Sequence, residues 1–227
     1  MSLHLQPTPS HWPGVFFYVK MVIEMKKIGE GWQYTVYDLG NGRVLKKFHS
    51  PLKSYWVILK DIFPFQNDSL FEISGFSRGM KVKALESFEI LKKKELPSGW
   101  LGNPKFINDL DFEQDKAKPL HDAFSQFGVE EAKKIIDKFM EFNKKLLERG
   151  VIDKSFNITK NYGLNNEGEI VLIDIGELFD DPKRIKEQCA NRAWAKDYVA
   201  GHIASDEVRE YFIEEMDRNF KNYGTNT

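Results

Sequence analysis

Lys26-Lys27-Ile28-Gly29-Glu30-Gly31-Trp32-Gln33-Tyr34-Thr35-Val36-Tyr37, and the chain from there to Phe48, decide how this sequence is read. A strand pattern runs into a turn with two glycines, resumes, reverses at Leu39-Gly40-Asn41-Gly42 and returns as Val44-Leu45-Lys46-Lys47-Phe48. Asn-Gly between two such runs is the strongest short hairpin signal, so three successive antiparallel strands are expected. At the first turn, Gly29 and Gly31 leave backbone N–H groups without a shielding Cβ, which suits a polyphosphate; taken alone, the pair reads as a plain hairpin. Period-two alternation puts Val44 and Lys46 on one side of the third strand and Leu45 and Lys47 on the other. One lysine then faces a cleft, and its spacing from the glycine turn selects Lys46 over Lys47; two exposed edge-strand lysines are the plainer alternative.

Working outward, residues 50–79 are broken by Pro51, Pro64, Gly75 and Gly79 and carry no legible period. Val82, Leu85, Phe88 and Leu91 predict a helix over Lys81–Lys93. Strands are expected at Lys105–Leu110 and Phe112–Lys118, with Pro119 closing that half. The remainder reads as mostly helical. Ala132, Ile135, Ile136, Phe139, Met140, Leu146 and Leu147 form one stripe along Val129–Arg149, stopped by Gly150. A hairpin is expected from Ile158–Leu164 and Glu169–Ile173, its second strand apolar enough to be buried on both faces. Asp181 and Pro182 open another helix, and a last one begins near Ser205. Residues 1–20, with three prolines, read as a loose extension, and Met21 or Met25 as a natural start.

Composition narrows the function. The 33 basic and 34 acidic side chains nearly cancel, so the basic field that captures nucleic acid is missing and no nucleic-acid partner is expected. One cysteine, Cys189, rules out an intrachain disulfide or a multi-cysteine zinc site. No run approaches the ~18 apolar residues of a membrane span, and Val15–Val19 is too short for a signal peptide. The expectation is a cytoplasmic protein with no membrane partner.

The buried strand Ile170-Val171-Leu172-Ile173 ends in Asp174-Ile175-Gly176, a carboxylate followed by a flexible residue, which suits Mg²⁺. Glycine turn, strand lysine, long helix, hairpin and Asp-Ile-Gly occur in the order and rough spacing of the protein-kinase-like superfamily. The sequence resembles that family from about Lys26 to Gly176, and its small size is closer to bacterial kinase-like and aminoglycoside-phosphotransferase-like proteins. Ile175 stands where the family's Asp-Phe-Gly has phenylalanine, and Tyr34 where a third glycine lies.

The resemblance implies an α+β, two-lobed fold: an N-lobe over 21–119, an antiparallel sheet with one helix, and a reduced helical C-lobe over 120–227. It implies ATP and Mg²⁺ as cofactors, with Gly29, Gly31 and Lys46 on the phosphates and Glu86 or Glu89 pairing with Lys46. Asp174 would hold the metal. The family's His-Arg-Asp loop is missing. Counting back from Asp174 selects Asn161 as the metal asparagine and puts Phe156 at the base position, which predicts a dead enzyme. Aligning from the end of the long helix instead makes Asp153 the catalytic carboxylate and Asn157 the metal ligand, with Lys154 assisting the phosphoryl group. The implied function is ATP-dependent phosphoryl transfer to a hydroxyl of a small molecule or a protein. The alternatives are a pseudokinase that binds nucleotide or a partner without turnover, and a scaffold whose glycine turn is filled by Trp32 or Tyr34.

Overall fold

Alternation along the first strands is what builds the sheet. In β2 (Tyr34–Asp38) and β3 (Arg43–Phe48), Tyr34 pairs with Phe48, Val36 with Lys46 and Asp38 with Val44, so these side chains share one face. The other face carries Thr35, Tyr37, Leu45 and Lys47. β1 (Lys26–Glu30) lines the outer edge of β2, with a bulge between Lys27 and Gly29. β4 (Lys105–Phe106) and β5 (Phe112–Asp115) complete a five-stranded antiparallel sheet in the order β1-β2-β3-β5-β4. The chain is a mixed α+β fold, described here by a computed structural model over residues 25–62 and 70–223. The extension expected at 1–20 lies outside the described residues.

The stretch without a legible period is helical where it is described. α1 (Pro51–Ile62) packs on α2 (Leu70–Lys93), which begins eleven residues before the expected Lys81. Gly75 and Gly79 sit inside α2 and a Cβ at either would meet nothing. Their cost there is only the lower helix propensity of glycine, which the packing of Ile58 against Met80 offsets. The fourth strand is shorter than expected because Asn108 Oδ1 accepts from Leu110 N and Asp111 N and turns the chain early.

α3 (Leu120–Phe124) leads to α4 (Val129–Glu148), whose apolar stripe is buried as the sequence indicates. Gly150 follows at φ +67°, the left-handed geometry that ends a helix. β7 (Ile152–Asp153) comes next. The first hairpin strand then splits: Ile158–Asn161 forms a helical turn, α5, and only Tyr162–Leu164 is strand, β8. The Asn157 side chain causes this by accepting from Lys160 N as an N-cap. β8 pairs with β9 (Ile170–Leu172) and with β6 (Lys118–Pro119), and β7 pairs with β10 (Leu178–Phe179). α6 (Pro182–Ala190), α7 (Asp197–Ala200) and α8 (Asp206–Phe220) finish the described chain. One apolar core runs from Tyr34, Phe88 and Phe112 beneath the sheet to Phe139, Trp194, Phe212 and Phe220 among the helices. No described helix is long and apolar enough to cross a membrane.

Candidate functional site

Two lysines sit side by side on β3 with opposite fates. Lys47 is exposed, whereas Lys46 is 8% exposed and lies across from Phe112. A lysine is rarely buried without a partner. Lys46 Nζ donates to the Ile173 carbonyl, and the Asp174 carboxylate offsets part of the fall in pKa that burial imposes. The strand lysine and the aspartate after β9 are therefore brought together from far apart in the chain.

Asn161 joins that pair to a third group. Its carbonyl accepts from Ile173 N at 2.8 Å and from Asp174 N at 3.1 Å. Its side chain Nδ2 donates to Asp153 Oδ1 at 2.8 Å, while Asn157 N donates to Asp153 Oδ2 at 3.0 Å. Asp153 is wholly buried, and burial pushes its carboxyl up to about 7 despite those two donors, with the Glu177 and Asp174 charges adding to the rise. Asn157 is committed elsewhere: its Oδ1 caps α5 and also accepts from Thr159 Oγ1. Of the two asparagines, Asn161 is therefore the one beside Asp174. The Asn157 side-chain oxygen is engaged in its cap.

Phe156 explains how Asn157 N comes to face Asp153. It has φ +51°, an unusual conformation for a bulky residue. Its ring is fully buried, edge-on to Trp194 at 5.6 Å and stacked with Phe220 at 5.8 Å. The aromatic contacts hold a backbone geometry that an isolated chain would avoid.

The expected glutamate pairing with Lys46 is not made. Glu86 and Glu89 are exposed on α2, and Glu89 pairs with Lys92 at 2.8 Å. The buried stripe of α2 includes Ser77, Met80, Ala84, Ser87, Phe88 and Leu91, and both glutamates fall off it. Ser87 Oγ instead accepts from Leu178 N. Lys154 pairs with Glu177 at 3.6 Å, and Lys83 reaches the same carboxylate at 3.8 Å.

At the glycine turn, Gly31 N donates to Tyr34 O at 2.9 Å, closing it tightly. Trp32 is partly exposed and donates to Asp61 at 2.8 Å. Tyr34 is buried on the face of the sheet that carries Lys46, and Gln33 is buried against Gly176. Neither Gln33 nor Ser87 carries a sequence signal that would single it out. Behind the turn, Glu30 accepts from Thr35 and pairs with Lys27 and Lys53, while Thr35 meets His49 at 2.7 Å. Two surface grooves lie elsewhere, the larger of about 560 Å³ between α2 and the Leu178–Arg184 segment; neither is lined by Lys46, Asp153 or Asp174.

No family model matches the chain, and no curated protein sequence does. Among solved structures it is similar to Rv3197 of Mycobacterium tuberculosis, determined in complex with erythromycin. The identity is 12% and the TM-score 0.46, over 79% of this chain and 53% of that one. The chain spans about half the length of that protein.

Proposed function

We propose that the chain is a two-lobed, protein-kinase-like phosphotransferase that uses ATP and Mg²⁺ to phosphorylate a hydroxyl group of a small molecule or a protein. The observation that carries this reading is the burial of Lys46 against the Ile173–Asp174 strand end, beside Asn161. A buried cation this close to a carboxylate from another segment is a costly arrangement for stability alone, and a phosphate ligand gives it a use.

The donor set fits Mg²⁺. The Asp174 carboxylate and the Asn161 side-chain oxygen are hard ligands, and Mg²⁺ takes one or two such groups alongside phosphate oxygens and water. Among the described residues no cluster of three His, Cys, Asp or Glu side chains could hold a metal by itself, so the phosphates would supply the remaining ligands. When bound, the ion neutralises charge on the phosphates. Lys46 would hold phosphate oxygens, Gly29 and Gly31 would cover them, and Asn161 would keep its carboxamide fixed through Asp153. Asp153, titrating at about 7, holds or releases a proton near neutral pH.

One observation favours binding without transfer. Asp153 is wholly buried with both oxygens engaged, so an acceptor hydroxyl does not reach it in this conformation.

Thermal unfolding with ATP, with and without Mg²⁺, tests the proposal, since a ligand at about a hundred times its Kd adds about 2.7 kcal/mol of apparent stability. A Mg²⁺-dependent rise that is lost in Asp174→Ala and Lys46→Met, together with release of the γ-phosphate, supports the phosphotransferase. The same rise without turnover supports nucleotide binding alone. No rise at millimolar ATP removes both and leaves a scaffold.

A further inference from the structure

We infer that Gln33 and Tyr34 close the phosphate end of this site from the glycine turn, so that a Mg²⁺-nucleotide enters only as they are displaced. The inference rests on the nucleotide reading above and concerns what controls that site.

Gln33 is 7% exposed although it stands in a surface turn. A Cβ placed on Gly176 would overlap Gln33 Oε1 and would lie 3.4 Å from Asp174 Oδ1. The carboxamide therefore rests directly on the Asp174-Ile175-Gly176 turn, beside the metal-ligand candidate. Turning the amide end for end leaves the same space filled. Gln33 Oε1 is buried without a hydrogen-bond partner, so packing and the backbone bond from His49 N to Gln33 O at 2.8 Å hold it there.

Tyr34, the next residue, is buried in the core beneath the sheet. It lies on the Lys46 face of the sheet, 4% exposed, edge-on to Phe48 at 5.3 Å and to Phe112 at 5.5 Å. Its hydroxyl is also buried without a partner, and the Asp174 charge adds to the rise in its pKa that burial causes. Gln33, with its unpartnered oxygen, thus rests beside Asp174, and the next residue, Tyr34, buries a second unpartnered polar atom on the Lys46 face of the sheet. Leaving such groups unpaired is unfavourable, which makes the closed turn a weak latch that a ligand rich in charge can replace.

The test is calorimetric binding of Mg²⁺·ATP and Mg²⁺·ADP to wild type, Gln33→Gly and Tyr34→Gly, with Asp174→Ala as the control. Removing a latch closed about nine-tenths of the time tightens apparent binding about tenfold, and that gain is expected for Gln33→Gly. Tyr34→Gly also takes a ring out of the core, so Gln33→Gly is decisive and cooperative melting of each variant is checked first. Unchanged or weaker binding in Gln33→Gly, where wild-type binding depends on Asp174, overturns the closure and leaves the nucleotide reading intact. Absence of binding in wild type and in both folded variants removes closure and nucleotide reading together.

Discussion

β3 and the segment from Val151 to Asn161 each bury one charge, and they do so in opposite ways. Lys46 is placed by a regular strand: its inward direction follows from period two, and it has a single carbonyl partner with a carboxylate nearby. Asp153 is placed by an irregular loop whose geometry depends on a phenylalanine at positive φ, and both of its oxygens are engaged. A charge on a strand is aimed by local pattern, whereas a charge in a loop is aimed by whatever distant side chains hold the loop. The first is robust to change nearby. The second is only as firm as its anchor.

The largest effect is therefore expected at that anchor. Phe156→Ala should lower unfolding free energy by about 3–5 kcal/mol in urea titrations, as for other buried phenylalanines. Phe156→Gly should lose less than the ring alone is worth, because glycine accepts the left-handed backbone. Equal losses in the two would mean that the loop carries no strain and would erase the contrast with β3.

Asp153 gives the next effect. Its folded pKa of about 7 lies above the unfolded 3.8. The native state thus binds the extra proton between those values, and stability falls as pH rises through that range. Asp153→Asn should level that fall and gain on wild type by a few kcal/mol at most above neutrality, read from urea midpoints near pH 5 and near pH 8. A wild type equally stable at both would mean that Asn161 and Asn157 hold the carboxylate ionised.

Lys46→Met should change stability little or raise it, because an apolar side chain replaces a desolvated charge. A marked loss would make Lys46 part of the structure and sharpen the likeness to Asp153 in place of the contrast.

The smallest effect belongs to Glu30. Hydrogen bonds from Lys27 above all, then from Lys53 and Thr35, hold its pKa down to about 2 from 4.5 against a partial opposing effect of burial. Its folded pKa is the lower one, so its contribution is present above about 4.5 and is lost as pH falls toward 2. Glu30→Gln should flatten only the acid limb of the pH profile, and weakly, since the group is near the surface.

The same contrast explains what could be read from the sequence. The glycine turn, the three strands, the direction of Lys46, the apolar stripe of α4 and the Asp181-Pro182 helix start were legible, because each rests on local chemistry. The order of these elements also pointed to Asp174. The loop was ambiguous between Asn157 and Asn161, and the ambiguity was physical. The Asn157 side chain is engaged in capping a helical turn that the pattern Ile158–Leu164 reads as strand. Glu86 and Glu89 were misdirected by a helix that starts well before its legible period. Gln33, which meets Gly176 from far along the chain, carries no local mark at all.

The packing of Phe156 against Trp194 and Phe220 also bears on how the centre is completed. The glycine turn and Lys46 leave the ribosome early, and their strands can pair as soon as β5 follows. Asp153 and Asn161 gain their bracing only when the helix ending at Phe220 has emerged and docked. The charged centre is thus braced by a helix far downstream of the strand that carries Lys46.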